Sequence, residues 1–268
     1  MGILRLGISA VPGAKQLVRL QEGQLFSSVT LLVSEVISCL ALLAAGLVMA
    51  RIEGKSIFTY GFALRRDLGL RLVEGAAWGF VFVTALYALL AVEGGFLVQG
   101  FETGGALLLS SAGLWAVACL GVGLAEEFSF RGYGQHTLAG GIGFWPAAVI
   151  LSFVFGVLHL ANPGEGWAGA ASAAVFGLFF CFSLKRTGTL WLAMGMHAAF
   201  DFGETFLFAG STGLLATKRH LLESAVHGPA WLTGGSVGPE AGVNGLVLFP
   251  LLFLAFHLTH PEQAETPS

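Results

Sequence analysis

Three short patterns in this chain of 268 residues join ionisable side chains at helical spacing: Glu126-Glu127-Phe-Ser-Phe-Arg131, Phe155-Gly-Val-Leu-His159 and His197-Ala-Ala-Phe-Asp201. In the first, Glu127 and Arg131 stand four residues apart on one helical face and can pair, while Glu126 is turned away from Glu127 by about 100°. In the third, the same interval puts imidazole and carboxylate together, so Asp201 can orient His197, accept its proton or share a metal with it. Brought together, these groups make a hydrolytic centre. Glu126 would act as general base toward water with His159 sharing the proton, and His197 with Asp201 would stabilise the oxyanion. The same side chains allow a second chemistry, in which His159 and His197 with a carboxylate hold Zn²⁺ or another divalent metal and leave one position to water. Residue types alone leave both open.

The elements that must position these groups are membrane helices. The run Ala106 to Leu124, just before the first pattern, contains nineteen residues without formal charge. A charge at bilayer depth costs about 2.5 to 3.5 kcal/mol, so three kept together point to use. Hydrophobic residues make up 55% of the chain and charged residues 11%, with a mean hydropathy of +0.79, against about 25% charged in soluble domains. The expected fold is an all-α, polytopic transmembrane bundle with about seven spans, near 25–50, 72–92, 106–130, 144–161, 167–185, 189–209 and 244–260. Residues 1–24, with Arg5, Lys15 and Arg19 among leucines and a break at Pro12, suit an amphipathic, interfacial helix. The transmembrane domain then covers 25–260, and 261–268 form a loose polar tail.

Spacing also predicts which helices meet. The glycine-rich turn Gly140-Gly141-Ile142-Gly143 separates the helices of Glu126 and His159, each about sixteen residues away, so an antiparallel hairpin carries both to similar depth. His197 comes out somewhat shallower and needs a tilted helix to join them. Arg51, Lys55, Arg65, Arg66 and Arg71, together with Lys185 and Arg186, fall on one face, which the positive-inside rule makes cytoplasmic.

Several features carry blander readings. Cys39, Cys119 and Cys181 lie in separate spans without paired spacing and read as buried thiols. Ser211 to Gly242 reads as an extramembrane loop with a short amphipathic helix at Leu214 to Val226; His227 within it has no partner at defined spacing. Glu35 and Glu204 stand as isolated charges, the latter three residues beyond Asp201. A net charge of −3 gives no electrostatic footprint for nucleic acid. Two other classes use buried carboxylates and histidines or tolerate them: an ion- or proton-coupled transporter, and a non-catalytic membrane scaffold. Against the transporter, the chain shows no matched halves.

Taken in order, the three motifs resemble those of the CPBP family of intramembrane proteases, which includes the type II CAAX prenyl endopeptidases and the bacteriocin-processing Abi proteins. The resemblance covers about residues 70–210. It implies a membrane endopeptidase with Glu126, His159, His197 and Asp201 at the catalytic positions and Glu127 and Arg131 in support. It implies a substrate that is a membrane-associated peptide, or a prenylated or leader-bearing protein, reached from the lipid bilayer. Eukaryotic members typically carry Asn at the last position and bacterial ones often Asp, so Asp201 implies a prokaryotic type, in the plasma (inner) membrane. The family is described both as metalloprotease and as glutamate-dependent protease.

Overall fold

The structure is a computed structural model that describes residues 28–62, 67–102, 104–162, 164–208 and 220–261; the segment 1–24 and the tail after 261 lie outside them. Inside hydrocarbon a backbone must satisfy its own N–H and C=O groups, and the apolar runs accordingly form helices. These are α1 (Ser28–Ile52), α2 (Leu68–Val92), α3 (Ala106–Glu127), α4 (Gln135–Ile142), α5 (Phe144–His159), α6 (Trp167–Thr187), α7 (Trp191–Phe202), the short α8 (Ala230–Thr233) and α9 (Val243–Thr259). Among the described residues four helical stretches are long and apolar enough to cross a membrane: Leu31–Ile52, Leu68–Val92, Ala106–Ile142 and Trp167–Thr187. Helices α5 and α9 are shorter and equally apolar. The protein is an all-α integral membrane bundle, as its composition implies.

Two expectations are corrected. The third span does not stop near 130. A π-helical stretch, Phe128–Gly134, joins α3 to α4, and helix continues to Ile142 before Gly143 turns the chain at φ +88°. The polar residues after Arg131 look like an exit from the membrane, but tertiary contacts retain them: Gln135 is buried, and its Nε2 donates to the Phe144 carbonyl at 2.8 Å. The second correction concerns Leu214 to Val226. Of its described residues, 220–226, Leu222–Val226 form a strand (β2), not a helix, paired antiparallel with β1 (Phe96–Phe101) from Phe96↔Val226 to Phe101↔Leu222. Pairing across more than a hundred residues decides this, aided by the Leu221 N–H, which donates to the Phe206 carbonyl at 2.7 Å.

Packing explains how α7 is placed. The sequence Gly75-Ala-Ala-Trp-Gly79 puts two glycines one turn apart on α2, and a Cβ at either would strike the carbonyl of Leu192 or Met196 on α7. Gly195 on α7 returns the contact against the Leu72 carbonyl. Such close backbone approach is how membrane helices associate where no hydrophobic force drives them together. It fixes α7 within a turn of His197. On the other side of this seam, Phe82, Phe176, Phe180, Phe200 and Phe249 interlock as a ring cluster between α2, α6, α7 and α9.

Helix α1 turns an apolar face outward and keeps polar groups inside. Along α1, Val33, Ile37, Leu40 and Leu47 are exposed, whereas Glu35 and Ser38 are buried. Cys39, Cys119 and Cys181 are all free thiols, Cys119 and Cys181 buried.

Candidate active site

Glu127 lies at the end of α3 and is completely buried, as is Arg131 within the π stretch. Arg131 Nη1 donates to Glu127 Oε1 at 3.1 Å, the pair that their spacing predicts. The guanidinium also sits 4.2 Å over the Phe155 ring, and its Nε donates to the Gly177 carbonyl at 3.4 Å. A side chain at Gly177 would collide with Arg131 Nη2, so this glycine on α6 makes room for the charge. A planar, delocalised cation between aromatic faces is a role suited to arginine.

Glu127 has a second partner that the sequence did not reveal. His197 Nδ1 lies 2.9 Å from Glu127 Oε1. A carboxylate can only accept, so Nδ1 carries the proton and Nε2 faces the other way. The imidazole is held flat by Phe180, with ring centroids 5.3 Å apart and planes 13° from parallel. Its free edge looks toward two more carboxylates: Nε2 is 3.8 Å from Glu126 Oε2 and 3.7 Å from Asp201 Oδ2. The first and third motifs therefore converge.

His159 is anchored in a parallel manner. Its Nδ1 is 2.8 Å from the Phe155 carbonyl one turn earlier, so Nδ1–H donates there and Nε2 is left for chemistry. Glu126 interacts electrostatically with both His159 and His197. Asp201 closes the other side, its backbone carbonyl accepting from Thr205 Oγ1 at 2.6 Å as α7 passes into a second π stretch, Gly203–Phe208. Both π stretches begin within two residues of a motif carboxylate. Such local widening is frequent at functional sites, and nothing in the sequence signalled it.

The residues proposed for a metal fit one less readily in this arrangement. Each histidine leaves Nε2 as its one ligand atom, and among the described residues no three His, Cys, Asp or Glu side chains form a metal-binding group.

Other ionisable residues fall into separate places. The carboxyls of Glu204 and of Glu240, which precedes α9, both lie against Gly238. The His227 N–H donates to the Gly95 carbonyl at the end of the β pair. In the connection between α5 and α6, burial and the neighbouring charge of Glu240 push the Glu165 carboxyl up to about 7. Burial also raises Glu240 itself. The basic rim at the opposite end is tied by Arg71 to Glu74 at 2.8 Å and by Glu74 to His260 at 2.8 Å, which brings the starts of α2 and the tail of α9 to one face.

Fold and site together describe a polytopic membrane protein with a carboxylate and histidine centre enclosed by its helices. Residues 108–203 match the family model described as type II CAAX prenyl endopeptidase Rce1-like. This match spans all three motifs and bears out the resemblance to the CPBP family; at that level it supports an intramembrane endopeptidase. No curated protein and no solved structure matches the chain.

Proposed function

We propose that the protein is an intramembrane endopeptidase that hydrolyses a peptide bond in a membrane-associated peptide or protein, either a prenyl-cysteine CAAX-type tail or a leader peptide. The observation that carries this reading is the gap around His197 Nε2, with Glu126 at 3.8 Å and Asp201 at 3.7 Å. Neither distance is a direct hydrogen bond, and both suit a water or a reacting oxygen between the groups.

Glu126 takes a proton from water as the water oxygen attacks the scissile carbonyl carbon, and His159 Nε2 shares that proton. The carbonyl oxygen gains the negative charge and lies at His197 Nε2. Because Nδ1 already donates to Glu127, donation from Nε2 requires the ring to carry both protons. Asp201, one turn along α7, directs that edge. Collapse of the tetrahedral intermediate breaks the C–N bond, and the proton held by Glu126 passes to the leaving nitrogen. Arg131 and Glu127 touch no reacting atom; they hold His197 in place. Zn²⁺ or another divalent metal at His159 and His197 is the competing arrangement, and chelation separates the two. The setting proposed is a prokaryotic plasma (inner) membrane.

The test uses purified protein in proteoliposomes with two internally quenched peptides, one bearing a farnesylated cysteine and one an unprenylated leader sequence. Wild type is expected to cleave one of them, and Glu126→Ala neither, with its melting temperature unchanged. Cleavage of neither peptide by wild type, or full activity in Glu126→Ala, overturns the reading.

A further inference from the structure

Helix α1 lies outside the family-matched stretch, yet it delivers a carboxyl to the centre. Leu31 packs in a buried cluster with Trp115 and Cys119 of α3 and with Ala198, the residue after His197. Glu35 stands one turn further along the same face of α1 and is only 7% exposed, whereas Val33, Val36, Ile37 and Leu40 around it face outward. A Cβ built at Gly121 would lie 2.9 Å from Glu35 Cβ, so α1 sits directly on α3 at this level. The Glu35 carboxyl interacts electrostatically with both Glu126 and Asp201. A buried carboxyl in a membrane helix is expensive, and this one sits on the face of α1 that packs on α3 beside Gly121, five residues before Glu126.

We propose that Glu35 is a positioning residue of this centre, closing it on the α1 side and fixing the carboxyls of Glu126 and Asp201 for attack on the scissile carbonyl. The inference rests on the endopeptidase reading above. Carboxyl groups that interact across a low-dielectric interior are reconciled by a proton held on one of them or by bridging water, which also sets their mutual orientation. Removing one partner leaves the other two without that constraint. Orientation of the base matters in the transition state more than in substrate binding, so the effect falls on kcat.

The experiment compares Glu35→Leu, Glu35→Gln and Ser38→Ala in proteoliposomes against the farnesylated and leader peptides, with melting temperatures measured in parallel. Ser38 is buried on the same helix and donates to the Ser34 carbonyl, which makes it the structural control. Glu35→Leu is expected to lose about 10- to 100-fold in kcat at unchanged KM. Glu35→Gln, which keeps the size and hydrogen-bonding capacity, falls between Leu and wild type, and Ser38→Ala stays at wild type. Wild-type kcat in Glu35→Gln and Glu35→Leu, with Glu126→Ala inactive, overturns this inference and leaves the catalytic reading standing. An active Glu126→Ala overturns the catalytic reading instead. A purely structural Glu35 would lower the melting temperature of its variants without changing kcat per folded molecule, and that result also overturns the inference. Should Glu35→Leu fail to insert, Glu35→Gln alone decides by the same criterion.

Discussion

Glu127 Oε1 accepts two charge-assisted hydrogen bonds, from His197 Nδ1 at 2.9 Å and from Arg131 Nη1 at 3.1 Å. One buried oxygen thus couples the end of α3 to α7 and fixes which nitrogen of His197 faces Glu126. Partners that orient a working histidine typically matter by about 10- to 100-fold in activity. Glu127→Gln keeps the shape but can present an amide N–H to His197, which permits the wrong tautomer, and it removes the counter-charge of Arg131; a kcat loss of that size per folded molecule with a lowered melting temperature is expected. Glu127→Ala should behave differently. It strands a buried guanidinium, which costs about 3 to 5 kcal/mol, so the yield of folded protein should collapse. Parallel kinetics and thermal melts check both outcomes, and a Gln variant with wild-type kcat would remove Glu127 from the mechanism.

Arg131 lies 4.2 Å over Phe155 and donates to Glu127, so it serves as both cation and flat packing surface. Lysine keeps the charge and loses the planar fork and the stacking. Arg131→Lys is expected to lower both the melting temperature and kcat, the second because Glu127 is no longer held under His197. Wild-type values for both would show that charge alone suffices at this position.

The seam between α2 and α7 gives a test of how His197 is placed. A Cβ at Gly79 would meet the Met196 carbonyl and lie 3.1 Å from the Ala199 Cβ. Gly79→Val must therefore push α7 away from α2, and overpacking of this kind costs about 1 to 3 kcal/mol. Lower thermal stability and a fall in kcat are expected together, since the displaced backbone flanks His197 on both sides. By contrast Gly69, which has open space around its Cβ position, should tolerate alanine. Equal behaviour of the two variants would remove the seam from the argument.

What the sequence made legible was chemistry that is costly in its surroundings. Glu126, Glu127, Arg131, His159, His197 and Asp201 stood out because charges and imidazoles are rare inside long apolar runs, and the four-residue intervals in two motifs follow directly from helix geometry. The link from Glu127 to His197 crosses seventy residues and left no local trace. The placement of α7 was hidden in the same way, because Gly75, Gly79 and Gly195 act through the helix they face. Strand β2 was hidden for a similar reason, since Leu222–Val226 is extended only because β1 lies beside it.

Metal dependence is open to a direct check. Both histidines have Nδ1 anchored, on Phe155 and Glu127, an arrangement that serves a proton relay and a metal ligand alike, and the side-chain mechanism places no demand on a cation. Activity is therefore expected to survive exhaustive dialysis against 1,10-phenanthroline, and purified protein should contain no stoichiometric zinc. Loss of activity that zinc restores, accompanied by one bound metal per chain, would replace the Glu126 and His159 scheme with the metal-bound one.

Glu165 gives a prediction of opposite character, because it concerns stability and lies at the rim, outside the spans. Burial and the charge of Glu240 raise its carboxyl from 4.5 to about 7 in the folded protein. Between those values the folded chain holds a proton that the unfolded chain has released. By linkage, stability associated with this group is fully present below about pH 4.5 and is lost as pH rises through about 7. Above that, a carboxylate is left against Gly169 at the start of α6 with another acid, Glu240, nearby. Glu165→Gln cannot ionise and escapes the loss. Detergent-solubilised wild type and variant, melted at one scan rate, should therefore differ little at pH 5, and the variant should melt higher at pH 8. The same gap at both pH values would mean that Glu165 does not titrate in this window.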